Sequence, residues 1–98
     1  ARCIIHTIFD FLDGFYGKDV LEQIAANTSK FPVLLRYFHE WLIKYSAVDL
    51  TERDKAHFSN DIIYDIADQI QYRRAVIDYI AGMTDNFAIR VYHEIISF

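Results

Sequence analysis

In the first part of the chain, apolar residues recur three and four positions apart, which is the period of a helix that buries one broad face. Over residues 4–15 these apolar positions are Ile4, Ile5, Ile8, Phe9, Phe11, Leu12 and Phe15. Gly14 and Gly17 follow, and glycine commonly marks the end of a helix. The pattern predicts a first helix over residues 4–15 and a short second helix over residues 18–26.

A third helix is predicted from the start signal at Pro32. Residues 27–30 are turn formers, and proline is favoured at the first helical position because no backbone N–H is needed there. Ser46 and Ala47 mark the predicted end of this helix. Its predicted inner face consists of Leu34, Leu35, Phe38, Trp41, Leu42 and Tyr45.

The second half of the chain contains two further predicted helices. Residues 49–60 are the most polar part and are predicted to form a surface connection with room for one helical turn. Residues 62–66 are a short β-branched run, which we interpret as an extended lead-in to a helix over residues 67–83. Thr84 is a candidate N-cap for the last helix. The predicted inward side of that helix is Phe87, Val91, Tyr92 and Ile95.

These patterns together predict an all-α fold, a small bundle of four or five helices that forms one domain over residues 1–98. The composition of 53% hydrophobic residues, 3 Gly and 1 Pro excludes collagen and disordered linkers. A chain of this size buries only roughly 60% of its unfolded surface, so we expect part of its apolar surface to cover another protein surface. The helical pattern of apolar residues is present from the first residue, Ala1. We therefore interpret the chain as the C-terminal part of a larger all-helical protein.

Charge and cysteine content restrict the partners and the compartment. The formal net charge of -4 argues against non-specific electrostatic binding of nucleic acid. Cys3 is the single cysteine, which excludes an internal disulfide and fits a reducing cytosol. The apolar run over residues 3–12 is interrupted by His6 and Asp10 and is too short to span a bilayer. We therefore expect a cytoplasmic protein without a membrane partner.

The chain contains 4 histidines, which raise the question of a metal or acid–base site. Ile43 stands four residues after His39, and Ser97 stands four residues after His93. Neither histidine therefore has the helical partner that a zinc protease requires. We predict no catalytic residue and no metal ligand within this chain.

Arg73 and Arg74 form the only adjacent basic pair in the sequence. Adjacent helical residues point about 100° apart, so we expect one arginine to face inward and the other outward. Arginine is well suited to fork onto phosphate oxygens, which makes the pair a candidate anion site. The alternative is a salt bridge between Arg74 and Asp78, which lies one helical turn further on.

Residues 76–88 contain the string Asp-Tyr-Ile-Ala-Gly-Met-Thr-Asp at positions 78–85, preceded by Tyr72 and the two arginines. This segment resembles the C-terminal part of the bacterial dGTPase-like deoxynucleotide triphosphohydrolases. The resemblance implies a domain associated with an all-helical HD-type phosphohydrolase, which removes triphosphate from a deoxynucleoside triphosphate. In that family a divalent metal is held by histidines and aspartates of an HD motif, and no His-Asp pair occurs in this sequence.

The resemblance also implies partners and site residues. The partners would be the HD catalytic domain of the same chain, a deoxynucleoside triphosphate and further copies in a homo-oligomer. No cofactor is expected in this fragment, and the divalent metal is expected in the parent enzyme. Tyr72, Arg73 and Arg74 would bind substrate, with Asp78 holding the arginine in place. Gly82 and Thr84 are interpreted as structural residues.

A second function fits the same sequence without an enzymatic parent. The aromatic, amphipathic helices could form a stand-alone all-helical interaction module that docks a partner helix or another copy of itself.

Overall fold

Six α-helices make up the fold in the computed structural model, which describes residues 2–97. The two ends of the predicted domain, residues 1 and 98, lie outside the described residues. The helices are α1 (Arg2–Asp13), α2 (Val20–Asn27), α3 (Pro32–Tyr45), α4 (Leu50–Lys55), α5 (Gln69–Ala81) and α6 (Asp85–Ser97). No β-strand occurs within residues 2–97, so the all-α prediction is confirmed.

The structure confirms two helix starts that the sequence predicts. Pro32 is the first residue of α3. The Thr84 hydroxyl oxygen accepts a hydrogen bond from the Phe87 N–H at 3.1 Å, which caps the start of α6. Helix α5 begins later than predicted, because the Asp68 carboxylate accepts from the Ile70 N–H at 2.8 Å and acts as its N-cap.

The polar stretch over residues 49–60 contains a helix that the pattern does not resolve. The Asp49 carboxylate accepts from the Glu52 N–H at 3.0 Å and starts α4. None of the six residues of α4 is buried, so no apolar stripe marks it in the sequence. Helix α4 therefore raises the number of helices from the predicted four or five to six.

Residues 62–65 form a non-helical connection that runs past the end of α3, and Ile66 lies in the turn before α5, so the structure supports the predicted extended lead-in at Tyr64 and not at Ile66. The N–H groups of Ile63 and Tyr64 both donate to the Tyr45 carbonyl, at 2.9 and 3.1 Å. Tyr64 also forms an isolated parallel bridge with Ser46. The segment thereby brings the Tyr64 side chain towards α5.

Helices α5 and α6 both pack against α1 and α3. The described apolar and aromatic side chains with no exposed surface are Ile8, Leu12, Ile24, Leu34, Leu35, Phe38, Leu42, Tyr72, Ala75, Val76 and Val91. Because α5 buries Tyr72, Val76 and Ile80, its opposite stripe of Ile70, Arg74 and Ile77 faces solvent.

The helices are short on the scale of a bilayer. The longest, α3, has 14 residues, whereas a membrane span needs about 20. Within residues 2–97, no helix has both the length and the apolar character needed for crossing a membrane.

Candidate functional site

Tyr72, the first predicted substrate-binding residue, lies in the core of the domain. Its side chain has no exposed surface, and its hydroxyl donates to the Leu12 carbonyl at 2.6 Å. Burial raises the pKa of the Tyr72 hydroxyl, and the negative charge of Asp13 raises it further. The hydroxyl therefore remains a protonated donor that joins α5 to the end of α1. In this conformation the ring is out of reach of a ligand on the surface.

Arg73 is held by a carboxylate of another helix. Its Nε lies 3.1 Å from Asp13 Oδ1 and its Nη2 lies 3.3 Å from Asp13 Oδ2. This paired hydrogen bond, together with the charge of Asp13, raises the pKa of Arg73. The carboxylate that orients Arg73 is thus Asp13 at the end of α1, and the expectation that Asp78 holds an arginine stays a prediction.

Both arginines are exposed, so the expectation that one faces inward is wrong. The buried stripe of α5 runs through Tyr72, Val76 and Ile80, which leaves positions 73 and 74 on the solvent side. An arginine pair on this surface can reach an anion without opening the core.

Arg74 and Asp78 both lie near the Tyr64 hydroxyl, which donates a hydrogen bond to the Asp78 carboxylate. Burial and this hydrogen bond raise the pKa of Tyr64 to about 12, and the positive charge of Arg74 acts in the opposite direction. Within residues 2–97, the ion pairs do not include the predicted alternative of Arg74 with Asp78. Arg74 has neither a hydrogen bond nor an ion pair to a described side chain, so its guanidinium donors are available.

A groove between α1 and α5 opens beside this stripe, with a volume of about 720 Å³. We call it the α1/α5 groove, and six of its eight lining residues are apolar: Ile5, His6, Phe9, Asp10, Ile77, Ile80, Ala81 and Met83. Ile5 and Ile77 are 40% and 55% exposed. Ile77 lies three residues after Arg74 on the outer stripe of α5. Contiguous apolar surface with a polar rim is typical of a site where another protein docks.

The chain offers no metal site of its own among the described side chains. No group of three or more His, Cys, Asp or Glu side chains is arranged around a common point within residues 4–97.

Asp13 and Tyr64, the hydrogen-bond partners of Arg73 and Asp78, cannot be recognised from the sequence near those residues. Asp13 lies 60 residues before Arg73, and Tyr64 lies 14 residues before Asp78. Spacing rules for a helix relate residues three or four positions apart, so neither partner could be identified from sequence. The substrate-binding role of Tyr72, Arg73, Arg74 and Asp78 stays a prediction, and the structure brings only Arg74 and Asp78 together around a third residue.

Comparison with known proteins assigns this arrangement to a family. A search of curated proteins and a search of solved structures gave no significant match. The family model described as "Phosphohydrolase-associated domain" matches residues 33–94, which is more than half of the chain and runs from the start of α3 into α6. The chain therefore belongs to the phosphohydrolase-associated domain family, whose members accompany HD-type phosphohydrolase domains.

Proposed function

We propose that this chain is the C-terminal accessory domain of a dGTPase-like deoxynucleoside triphosphate triphosphohydrolase. The observation that carries the proposal is the family match over residues 33–94, which covers the whole of α5. The dGTPase-like string over residues 76–88 supports the choice of parent, because it spans the end of α5, the following turn and the start of α6.

The α1/α5 groove is the proposed contact with the HD domain of the same chain. Exposed Ile5 and Ile77 leave apolar surface in water, and covering that surface with a partner is favourable. The groove contains only two polar lining residues, His6 and Asp10. A helix of the HD domain with an apolar face would bury the groove and leave these two residues at its rim.

Arg74 is the residue that we propose to contact the triphosphate. It lies one helical turn before Ile77 of the groove on the outer stripe of α5, and no described side chain pairs with its guanidinium. Charge-assisted hydrogen bonds from arginine stabilise the negative charge that moves onto a phosphate leaving group. Arg73, held by Asp13, would supply a second positive charge at a fixed position. A divalent metal bound by the HD domain would activate the attacking water in the parent enzyme.

The proposal also includes the oligomeric state of the enzyme and its cellular compartment. A second apolar patch consists of Val48, Ile62 and Ile63, which are 37%, 44% and 54% exposed. We propose that this patch contacts another copy of the enzyme in a cytoplasmic homo-oligomer, while the α1/α5 groove contacts the HD domain.

The test is a deoxynucleoside triphosphate triphosphohydrolase assay on the complete reading frame that contains this chain. We expect deletion of the chain to abolish activity. We expect Arg74→Ala to lower kcat/KM by about tenfold to about a hundredfold, the loss of one charge-assisted donor. Arg90→Ala is the matched control, because Arg90 is an exposed arginine on α6 outside this stripe.

Two results would overturn the proposal. Full activity after deletion of the chain would exclude an accessory role. A reading frame without an HD domain would instead support the interaction-module alternative. Equal activity of the Arg74→Ala and Arg90→Ala enzymes would remove Arg74 from the site but would leave the docking role untouched.

A further inference from the structure

A groove of about 780 Å³ lies between the turn after α1 and the segment that leads into α5. We call it the acidic groove, for the carboxylates at its rim. Its apolar lining includes Val20, Val48, Ile62, Ile63 and Ile66. The exposed patch of Val48, Ile62 and Ile63 is therefore one wall of this groove, and the groove has room for an apolar or aromatic side chain of a partner.

The net charge of the chain is concentrated around the acidic groove. Residues 49–68 contain six carboxylates and two cations, a difference equal to the net charge of -4, whereas the rest of the chain contains eight of each. Asp65 lines the groove and Asp61 directly precedes its wall, and both are exposed. Such a rim favours a partner surface that combines apolar area with positive charge. Two copies of the rim would repel each other, which disfavours a symmetric contact of the patch with itself.

A surface with the complementary character lies on α3 of the same chain. Arg36 and Tyr37 are both exposed, and the Arg36 guanidinium lies 5.2 Å from the Tyr37 ring centre. The Tyr37 ring also lies edge-on to Phe87, with 5.8 Å between the ring centres. Within residues 2–97 no carboxylate forms an ion pair with Arg36, and residues 23–39 contain neither Asp nor Glu. Tyrosine and arginine are residue types that are enriched among the dominant contacts of protein interfaces.

We propose that Arg36 and Tyr37 of one copy insert into the acidic groove of a second copy. The inference rests on the proposed function, which assigns the apolar patch of this groove to contact with another copy, and it names the surface that the patch meets. The Tyr37 ring would cover the apolar wall, and Arg36 would lie against Asp61 and Asp65. The contact is heterologous, because Arg36 and Tyr37 do not line the groove. Copies joined in this way form a closed ring or an open chain.

Sedimentation equilibrium of the 98-residue chain tests whether it associates with itself. We expect the average mass to rise with concentration between about 10 μM and about 1 mM, a range that covers weak association. Raising the salt concentration from about 0.05 M to about 0.5 M should weaken the association, because salt screens Arg36 from the carboxylates of the rim. A chain that remains monomeric over the whole concentration range would overturn the inference.

Two variants locate the contact, one on each surface. Ile63→Glu places a further carboxylate in the acidic groove, and Tyr37→Glu replaces the ring beside Arg36 by a carboxylate. The two positions are 54% and 44% exposed, so neither substitution disturbs the core, and circular dichroism checks that both chains are folded. We expect each variant to weaken self-association at least about tenfold. Wild-type association of either folded variant would contradict the inference.

Ile89→Glu is the matched control for these two variants. Ile89 is 43% exposed and lies two residues after Phe87, which places it on another side of α6 from the ring that contacts Tyr37. The control should associate like the wild type.

A mixture of the two variants distinguishes a heterologous contact from a symmetric one. The Ile63→Glu chain keeps Arg36 and Tyr37, and the Tyr37→Glu chain keeps the acidic groove. An equimolar mixture should therefore form a heterodimer through one intact contact, although each variant alone stays largely monomeric. A mixture that is as monomeric as its two components would overturn the inference.

The outcomes separate this inference from the proposed function. If Ile63→Glu weakens self-association and Tyr37→Glu does not, the patch still contacts another copy and the inference alone fails. If the chain associates as expected but the complete enzyme keeps full activity after deletion of the chain, the accessory role in the proposed function alone fails.

Discussion

The Glu94 carboxylate completes the start of α3 from a distant position on α6. Its two oxygens accept from the Val33 and Leu34 N–H groups at 3.0 and 2.9 Å. The N-cap residue, Phe31, provides no side-chain hydrogen bond, so these donors depend on Glu94. A negative charge at a helix N-terminus is also favourable against the helix dipole. A single side chain therefore both caps α3 and joins it to α6.

Glu94→Gln tests this cap at the residue scale. Glutamine keeps one acceptor oxygen and loses the charge, so the free energy of unfolding should fall by about 1 to 2 kcal/mol. Urea denaturation at neutral pH measures the loss. Glu40→Gln is the control, because Glu40 is exposed on α3, and it should change stability by less than about 0.5 kcal/mol. Equal stability of the Glu94→Gln chain and the wild type would show that the cap contributes nothing.

At the scale of elements, two hydrogen bonds join the segment over residues 62–66 to α5, one from the Tyr64 hydroxyl to Asp78 and one from the Asp65 N–H to Gln71 Oε1 at 2.8 Å. Tyr64 donates to Asp78, and the hydroxyl keeps its proton to a pKa of about 12 in the folded chain. In the unfolded chain tyrosine ionises near pH 10. Between these values the unfolded state loses a proton that the folded state retains, so stability must fall as pH rises.

The expected result is a loss of folding stability from about pH 10 to about pH 12, with the full contribution of Tyr64 present below that range. Urea unfolding at about pH 9 and at about pH 11 gives the decrease in unfolding free energy. Tyr64→Phe has no proton to lose at this position, so its decrease should be smaller than that of the wild type. The same decrease in both chains would show that Tyr64 is not responsible.

The accuracy of sequence prediction differs among the elements for physical reasons. Helices α3 and α6 are predicted well because Pro32 and Thr84 provide start signals and a broad apolar face follows each. Helix α4 is missed because it buries no residue. In α5 the apolar residues occupy two stripes, and the sequence does not show that Ile70, 78% exposed, lies on the outer one.

The site is less predictable than the fold. The arginine pair stands out in sequence because of its chemistry, but the side chains around it come from α1 and from the segment over residues 62–66. Their positions depend on how α1 and α5 pack, and periodicity does not encode that packing. The α1/α5 groove likewise needs both helices in place before it exists.

At the scale of the whole molecule, the domain separates structural residues from exposed functional candidates. Tyr72 belongs to the core, whereas Arg74 and the α1/α5 groove lie on the surface. A domain that serves a phosphohydrolase needs a stable interior and a surface that fits its partner. The buried core meets the first requirement, and we propose that the apolar α1/α5 groove beside Arg74 meets the second.

The most direct test of this account is the association of the 98-residue chain with the separately produced HD domain of its own reading frame. Isothermal titration calorimetry should show saturable one-to-one binding. Ile77→Glu, in the α1/α5 groove, should weaken that binding at least about tenfold. Ile89→Glu, at an exposed isoleucine of α6, should leave it unchanged. Absence of binding by the wild type, or loss of binding only in the Ile89→Glu chain, would contradict the assignment of the groove to the HD domain.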